Sequence, residues 1–132
     1  MSAARLEHVN LTVRDPRAAA ELMCRLFDWR VRWEGSAIGN GHSVHVGGDD
    51  DYLALYSSGD APADAPSSYA TLHGLNHVAL VVDDLDEIER RVVAEGFEPH
   101  SHADYEPGRR FYFRDGDGLE FEIVSYAETR TG

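Results

Sequence analysis

The chain has 132 residues, 42% apolar and 27% charged, enough to bury roughly two-thirds of its unfolded surface in a core. Its net charge of −12, from 24 Asp+Glu against 12 Lys+Arg that are all arginine, excludes a binder of the nucleic-acid backbone, which needs a basic surface. No apolar run is long enough for a bilayer, "MSAARLEH" lacks the apolar stretch of a secretion signal, and the single cysteine rules out an internal disulfide, so the chain reads as cytoplasmic, with no membrane partner.

The first element is a strand, because "EHVNLTV" (Glu7–Val13) alternates apolar and polar residues with period two. A helix follows. Asp15 is its expected N-cap, Pro16 its first residue, and Ala18, Leu22 and Leu26 keep helical spacing. Cys24 falls in this helix and reads as a small buried thiol. Three strands are predicted near 29–34, 42–47 and 52–57. "SSGDAPADAPSS" (Ser57–Ser68) has the composition of a linker. The pattern then restarts. "NHVALVV" predicts a strand, and Asp84 with Glu87 forms a variant capping box before Ile88, Val92 and Val93. Gly96 ends that helix, and strands are predicted near 97–102, 110–114 and 119–125.

The order is βαβββ, twice. LEHVNLTVRD (Leu6–Asp15) matches LNHVALVVDD (Leu75–Asp84) at six of ten positions, including His8 with His77. Further on, "HVGGDDDYLALYSS" (His45–Ser58) aligns without a gap on "FRDGDGLEFEIVSY" (Phe113–Tyr126). The expectation is one domain over 1–132: module 1 at about 5–57, a linker at about 58–72 and module 2 at about 73–127. The fold class is α+β.

Alternation also assigns faces. Val9, Leu11 and Val13 must cover the helix, so His8, Asn10 and Thr12 point away from it. His77 points away likewise, opposite Val78, Leu80 and Val82. Leu53, Leu55, Phe121 and Ile123 take the helix side. Tyr52, Ala54, Tyr56, Glu120 and Glu122 take the other. Should the two sheets curl and join, His8, His77 and Glu122 line one shared cup. Two imidazoles and a carboxylate suit a divalent first-row metal: Fe, Mn, Zn, Ni or Co. Tyr112, which alternates away from Phe111 and Phe113, is the candidate acid/base. Asn10, Tyr52, Ala54, Tyr56 and Arg110 are candidate substrate contacts. Arg109, Arg110 and Arg114 cluster in sequence and offer local sites for an anion.

"LEHVNLTVRD", "LNHVALVVDDLDE" and "FYFRDGDGLEFEIV" resemble the vicinal oxygen chelate superfamily, which includes glyoxalase I, extradiol dioxygenases, fosfomycin-resistance enzymes and bleomycin-binding proteins. The resemblance covers essentially the whole chain. It implies paired βαβββ modules forming a cup-shaped mixed sheet with helices outside, metal ligands on the first and last strand of each module, and a homodimer. The ligand positions carried over are His8, residue 54, His77 and Glu122. Ala54 departs from the pattern, since glyoxalase I and methylmalonyl-CoA epimerase, another member, supply a Glu or Gln-type ligand there.

Two functions stay open at this point. One is a metal-dependent enzyme of the glyoxalase or extradiol dioxygenase type, acting on a small molecule through two vicinal oxygens. The alternative is a non-catalytic small-molecule binding protein of the bleomycin-resistance type. Trp29, Trp33, Tyr52 and Tyr56 with the acidic charge fit that second picture.

Overall fold

The computed structural model describes residues 3–64, 68–105 and 108–126. Two compact units divide between Asp64 and Ala65. The first runs β1 (His8–Thr12), α1 (Pro16–Phe27), β2 (Arg30–Ala37), a 3-10 turn (Ile38–Asn40), β3 (Gly41–Gly47) and β4 (Tyr52–Ser57). The second runs β5 (Val78–Val81), α2 (Leu85–Ala94), β6 (His100–Tyr105), β7 (Gly108–Arg114) and β8 (Glu120–Ser125). Each unit is a four-stranded mixed sheet, ordered β1-β4-β3-β2 in the first and β5-β8-β7-β6 in the second. In both, the first strand lies parallel to the last, and the other neighbours are antiparallel. The tandem βαβββ reading is correct.

The helices start where the sequence said. Asp15 accepts the Ala18 amide and Asp84 accepts the Glu87 amide, each satisfying a donor the helix leaves open. The reciprocal half of the second box is not the role Glu87 plays, because its carboxylate receives Arg90 and Arg91 instead. Gly96 ends α2 at φ +93°. Its amide bonds to the Val93 carbonyl and that of Phe97 to Val92, a Schellman pair that needs the left-handed conformation glycine tolerates.

The buried stripes differ from the sequence expectation. In α1 the buried residues are Pro16, Ala20, Met23 and Leu26. Ala18 is exposed and Leu22 half-buried. The run Ala18–Ala20 is apolar all round, so spacing alone could not fix the rotation of the helix. In α2, Leu85, Ile88 and Val92 are buried and Val93 is exposed. Cys24 is half-buried, and its burial pushes the thiol's pKa up, so it stays protonated.

Each sheet packs its apolar face on its own helix. In the first unit Val44, Val46, Leu53 and Leu55 meet Ala20, Met23 and Leu26. In the second, Phe111, Phe113, Phe121 and Ile123 face Ile88 and Val92. Phe113 stacks on Phe121 at 5.2 Å between centroids. Full burial of one such side chain is worth roughly 1.5–3 kcal/mol, so these layers, not helix propensity, hold the helices in place.

Register corrects the repeat alignment. His45 lies opposite Ala54, and Tyr112 lies opposite Glu122. His45 is therefore the counterpart of Tyr112, not of Phe113. Four residues separate β3 from β4 and five separate β7 from β8, so the gapless alignment slipped by one residue at that turn. Among the described residues no helix is long and apolar enough to cross a membrane.

Candidate functional site

The face of the first sheet that turns away from α1 carries His8, Asn10 and Thr12 from β1, all exposed. The β4 residues beside them are Tyr52, Ala54 and Tyr56. Across from these, β3 places His45 opposite Ala54, and β2 places Trp33 opposite His45. The rings form a continuous row. His8 stacks on Tyr52 at 4.9 Å, Tyr52 on His45 at 4.6 Å, and His45 meets Trp33 at 4.9 Å. The Arg32 guanidinium sits 4.7 Å above the Tyr52 ring, a cation–π contact. It reaches this face because the β2–β3 register shifts between Val31 and Trp33. Burial lowers the His45 pKa, and the nearby charges of His8 and Arg32 lower it further, so the ring is neutral at pH 7.

Three side chains of this face are tied down. His8 Nδ1 is 2.9 Å from Glu7 Oε1, and the Tyr52 hydroxyl donates to the same oxygen at 3.4 Å. The His8 bond holds the Glu7 carboxyl below its usual range. The Tyr56 hydroxyl donates to the Ile38 carbonyl at 2.8 Å, so it serves the 3-10 turn. Ala54 is 1% exposed, too small and too covered to offer a polar atom.

The corresponding face of the second sheet is charged. Glu120 and Glu122 are both buried. Glu122 Oε1 is 3.1 Å from His77 Nε2, and its Oε2 accepts Arg110 Nη1 at 2.8 Å. Tyr112, the cross-strand partner of Glu122, meets the His77 ring edge-on at 5.8 Å. The structure thus brings together His77, Glu122, Tyr112 and Arg110, four residues the sequence singled out. His77 Nδ1 is buried and has no hydrogen-bond partner among the described residues.

A second group was missed. Glu120 accepts the Tyr69 hydroxyl at 3.1 Å and lies 3.4 Å from Arg114 and 3.6 Å from His100. That bond pushes the Tyr69 pKa up. Alternation had put Glu120 on this face and Arg114 stands opposite it across β7, but Tyr69 and His100 come from distant segments with no sequence signal. His100 and His102 are two apart and should share a face. They do not, because the β6–β7 register shifts between His100 and Ala103, and Ser101 has φ +57°. His100 lies over Tyr112, while His102 bonds Glu89 on α2. The arginine cluster is divided as well. Arg109 bonds Asp86 on α2, and Arg110 and Arg114 take the opposite face. Trp29 packs edge-on against Phe27.

Among the described residues, no three or more His, Cys, Asp or Glu side chains gather in a group that could hold a metal ion. The donor chemistry of the second face nevertheless fits half of such a site. Two ligands bonded to one ion at roughly 2.1 Å stand about 3.0–3.4 Å apart. His77 Nε2 and Glu122 Oε1 meet that spacing. An ionised carboxylate only accepts, so a proton on His77 Nε2 has to leave before both atoms can face a cation.

The model of the Glyoxalase/Bleomycin resistance protein/Dioxygenase superfamily matches residues 5–123. No curated protein sequence matches the chain. Solved structures agree in fold. A glyoxylase/bleomycin resistance protein/dioxygenase domain from Frankia sp. EAN1pec is 23% identical, with 94% of this chain and 98% of that one covered, at a TM-score of 0.79. The fosfomycin resistance protein FosX from Mesorhizobium loti is 24% identical, with 93% and 92% covered, at 0.68. TioX from Micromonospora sp. ML1 is 22% identical, with 93% and 99% covered, also at 0.68. With the family match spanning nearly the whole chain and the repeated βαβββ fold beneath it, this protein belongs to the Glyoxalase/Bleomycin resistance protein/Dioxygenase superfamily.

Proposed function

We propose that the chain is a metal-dependent enzyme acting on a small molecule through two neighbouring oxygens, with His8, His77 and Glu122 as the protein ligands of a divalent ion. The observation that carries this reading is the convergence of His77 Nε2 and Glu122 Oε1 at 3.1 Å on the sheet face turned away from the buried Phe121 and Ile123. His8 occupies the matching position of the first module. The reading holds whether the modules that share an ion come from one chain or from two copies, and a homodimer is part of the proposal. A divalent ion bound there supplies Lewis acidity toward substrate oxygens. The chain's own residues do the rest. Arg110 fixes Glu122 and presents a positive charge to an anionic substrate. The phenol of Tyr112 stands beside His77 as the group that moves a proton. Asn10 and Tyr52 line the first face as substrate contacts.

The test is metal content by plasma mass spectrometry on protein purified without a histidine tag, beside a His77→Ala variant. Near one ion per chain, lost in the variant, supports the reading. No metal, and no uptake of Fe(II), Mn(II), Ni(II) or Zn(II), overturns it. The ring row of His8, Tyr52, His45 and Trp33 favours a second reading, a binding protein for a flat aromatic molecule. Metal-free protein that quenches its tryptophan fluorescence on adding such a molecule is the result expected there.

A further inference from the structure

We infer that Glu7 is a positioning residue that sets the tautomer of His8 and aims its Nε2 lone pair at a ligand. This rests on the reading of His8 as a metal ligand. Glu7 Oε1 is 2.9 Å from His8 Nδ1. An ionised carboxylate has lone pairs and no proton to give, so Nδ1 is the donor. A neutral imidazole with its proton on Nδ1 leaves Nε2 bare, which is the form that binds a metal. Ligating histidines generally give their other ring proton to such an acceptor.

Tyr52 completes the brace. Its ring lies along His8 with the planes 11° apart, and its hydroxyl donates to the same Glu7 oxygen. Both degrees of freedom of the imidazole are then constrained: the ring plane by stacking, the flip about its axis by the Nδ1 bond. Among the described residues, nothing equivalent serves the second histidine. Asn76 stands where Glu7 does, and Glu120 where Tyr52 does. His77 Nδ1 has no hydrogen-bond partner, and its Nε2 meets Glu122 instead. The two repeated histidines are prepared differently, and Glu7 is what prepares the first.

A purely structural role makes a different prediction. Glu7 and His8 are adjacent and well exposed, and exposed pairs contribute little to stability. Losing Glu7 should therefore leave the thermal midpoint in place while altering the ring. The experiment is nitrogen-15 NMR of the imidazole rings in the metal-free protein, held above about pH 8 where imidazoles are neutral. His8→Ala assigns the signal. The expected result is Nδ1–H for His8 in the wild type and a shift toward Nε2–H in Glu7→Ala. Zn(II) alone is then titrated, and affinity should fall roughly 10–100-fold in Glu7→Ala. A wild-type His8 already in the Nε2–H form overturns the inference. So does an unchanged tautomer in Glu7→Ala, or a changed tautomer with unchanged Zn(II) affinity. If the tautomer changes while neither protein binds Zn(II), the orienting of His8 stands and the metal reading falls.

Discussion

Arg110 and Glu122 form a pair that water barely reaches: Nη1 and Oε2 are 2.8 Å apart, with side chains 15% and 9% exposed. A charge this buried needs its partner more than the pair adds to stability. Arg110→Met should cost roughly 1–3 kcal/mol, the range for a buried polar group that loses a bond. His77 still faces the other oxygen, which keeps the loss below that of a fully orphaned carboxylate. Urea unfolding at pH 7 measures it, and an unchanged midpoint would show the pair to be ornamental.

Ala54 sits at the position where the superfamily resemblance implies a fourth ligand, and it is 1% exposed. Ala54→Glu buries an ionisable group among Asn10 and His45, its neighbours across β1 and β3. In metal-free protein the variant should melt several degrees below the wild type, because a buried carboxylate without a partner is penalised. Zn(II) should raise its midpoint more than it raises that of the wild type. Equal shifts in both proteins would place residue 54 outside any metal site.

Asp115 gives a pH signature. Its carboxylate accepts the amides of Asp117 and Leu119, both at 2.9 Å, and shapes the turn between β7 and β8. Burial outweighs those bonds and raises its pKa above the ordinary 3.8. A raised acid pKa means the ionised form is disfavoured in the folded state, so this group costs stability at neutral pH and the cost fades as pH falls. Asp115→Asn keeps an accepting oxygen and removes the charge. It should melt roughly 1–3 °C higher at pH 7, with the advantage shrinking toward pH 3. Melting curves across that range check both the sign and the trend.

Gly47 keeps the first face intact. A Cβ there would run into the Asp51 carbonyl oxygen and lie 2.6 Å from the Tyr52 Cα. Both are backbone and cannot swing aside. Gly47→Ala should destabilise by roughly 1–3 kcal/mol and displace Tyr52 from the rings of His8 and His45, which an NMR spectrum of the histidine rings would register.

Much of this architecture was legible because period-two alternation is a direct imprint of a half-covered strand. It placed His8, His77 and Glu122 on faces turned from the helices, and the caps at Asp15 and Asp84 followed from local chemistry. What stayed hidden were departures from the period. The irregularity at Ser101 sends His100 and His102 to opposite sides. The longer turn before β8 offsets one copy from the other. The Tyr69–Glu120 bond spans 51 residues, beyond any local pattern. Glu7 escaped notice because neighbours in a strand are expected to diverge, and it precedes the first paired residue of β1.

Register-matched positions of the two modules diverge unevenly. Behind each sheet, Val44, Val46, Leu53 and Leu55 answer to Phe111, Phe113, Phe121 and Ile123, all apolar and all buried. In front, Trp33, His45, Tyr52 and Ala54 answer to His100, Tyr112, Glu120 and Glu122. One surface keeps a single solubility class in both copies, while on the other two ring positions stay rings and Tyr52 and Ala54 give way to the carboxylates of Glu120 and Glu122. A duplicated half-fold of this kind gives evolution an editable page: its wording can be rewritten strand by strand, because the binding that holds the page lies on its reverse.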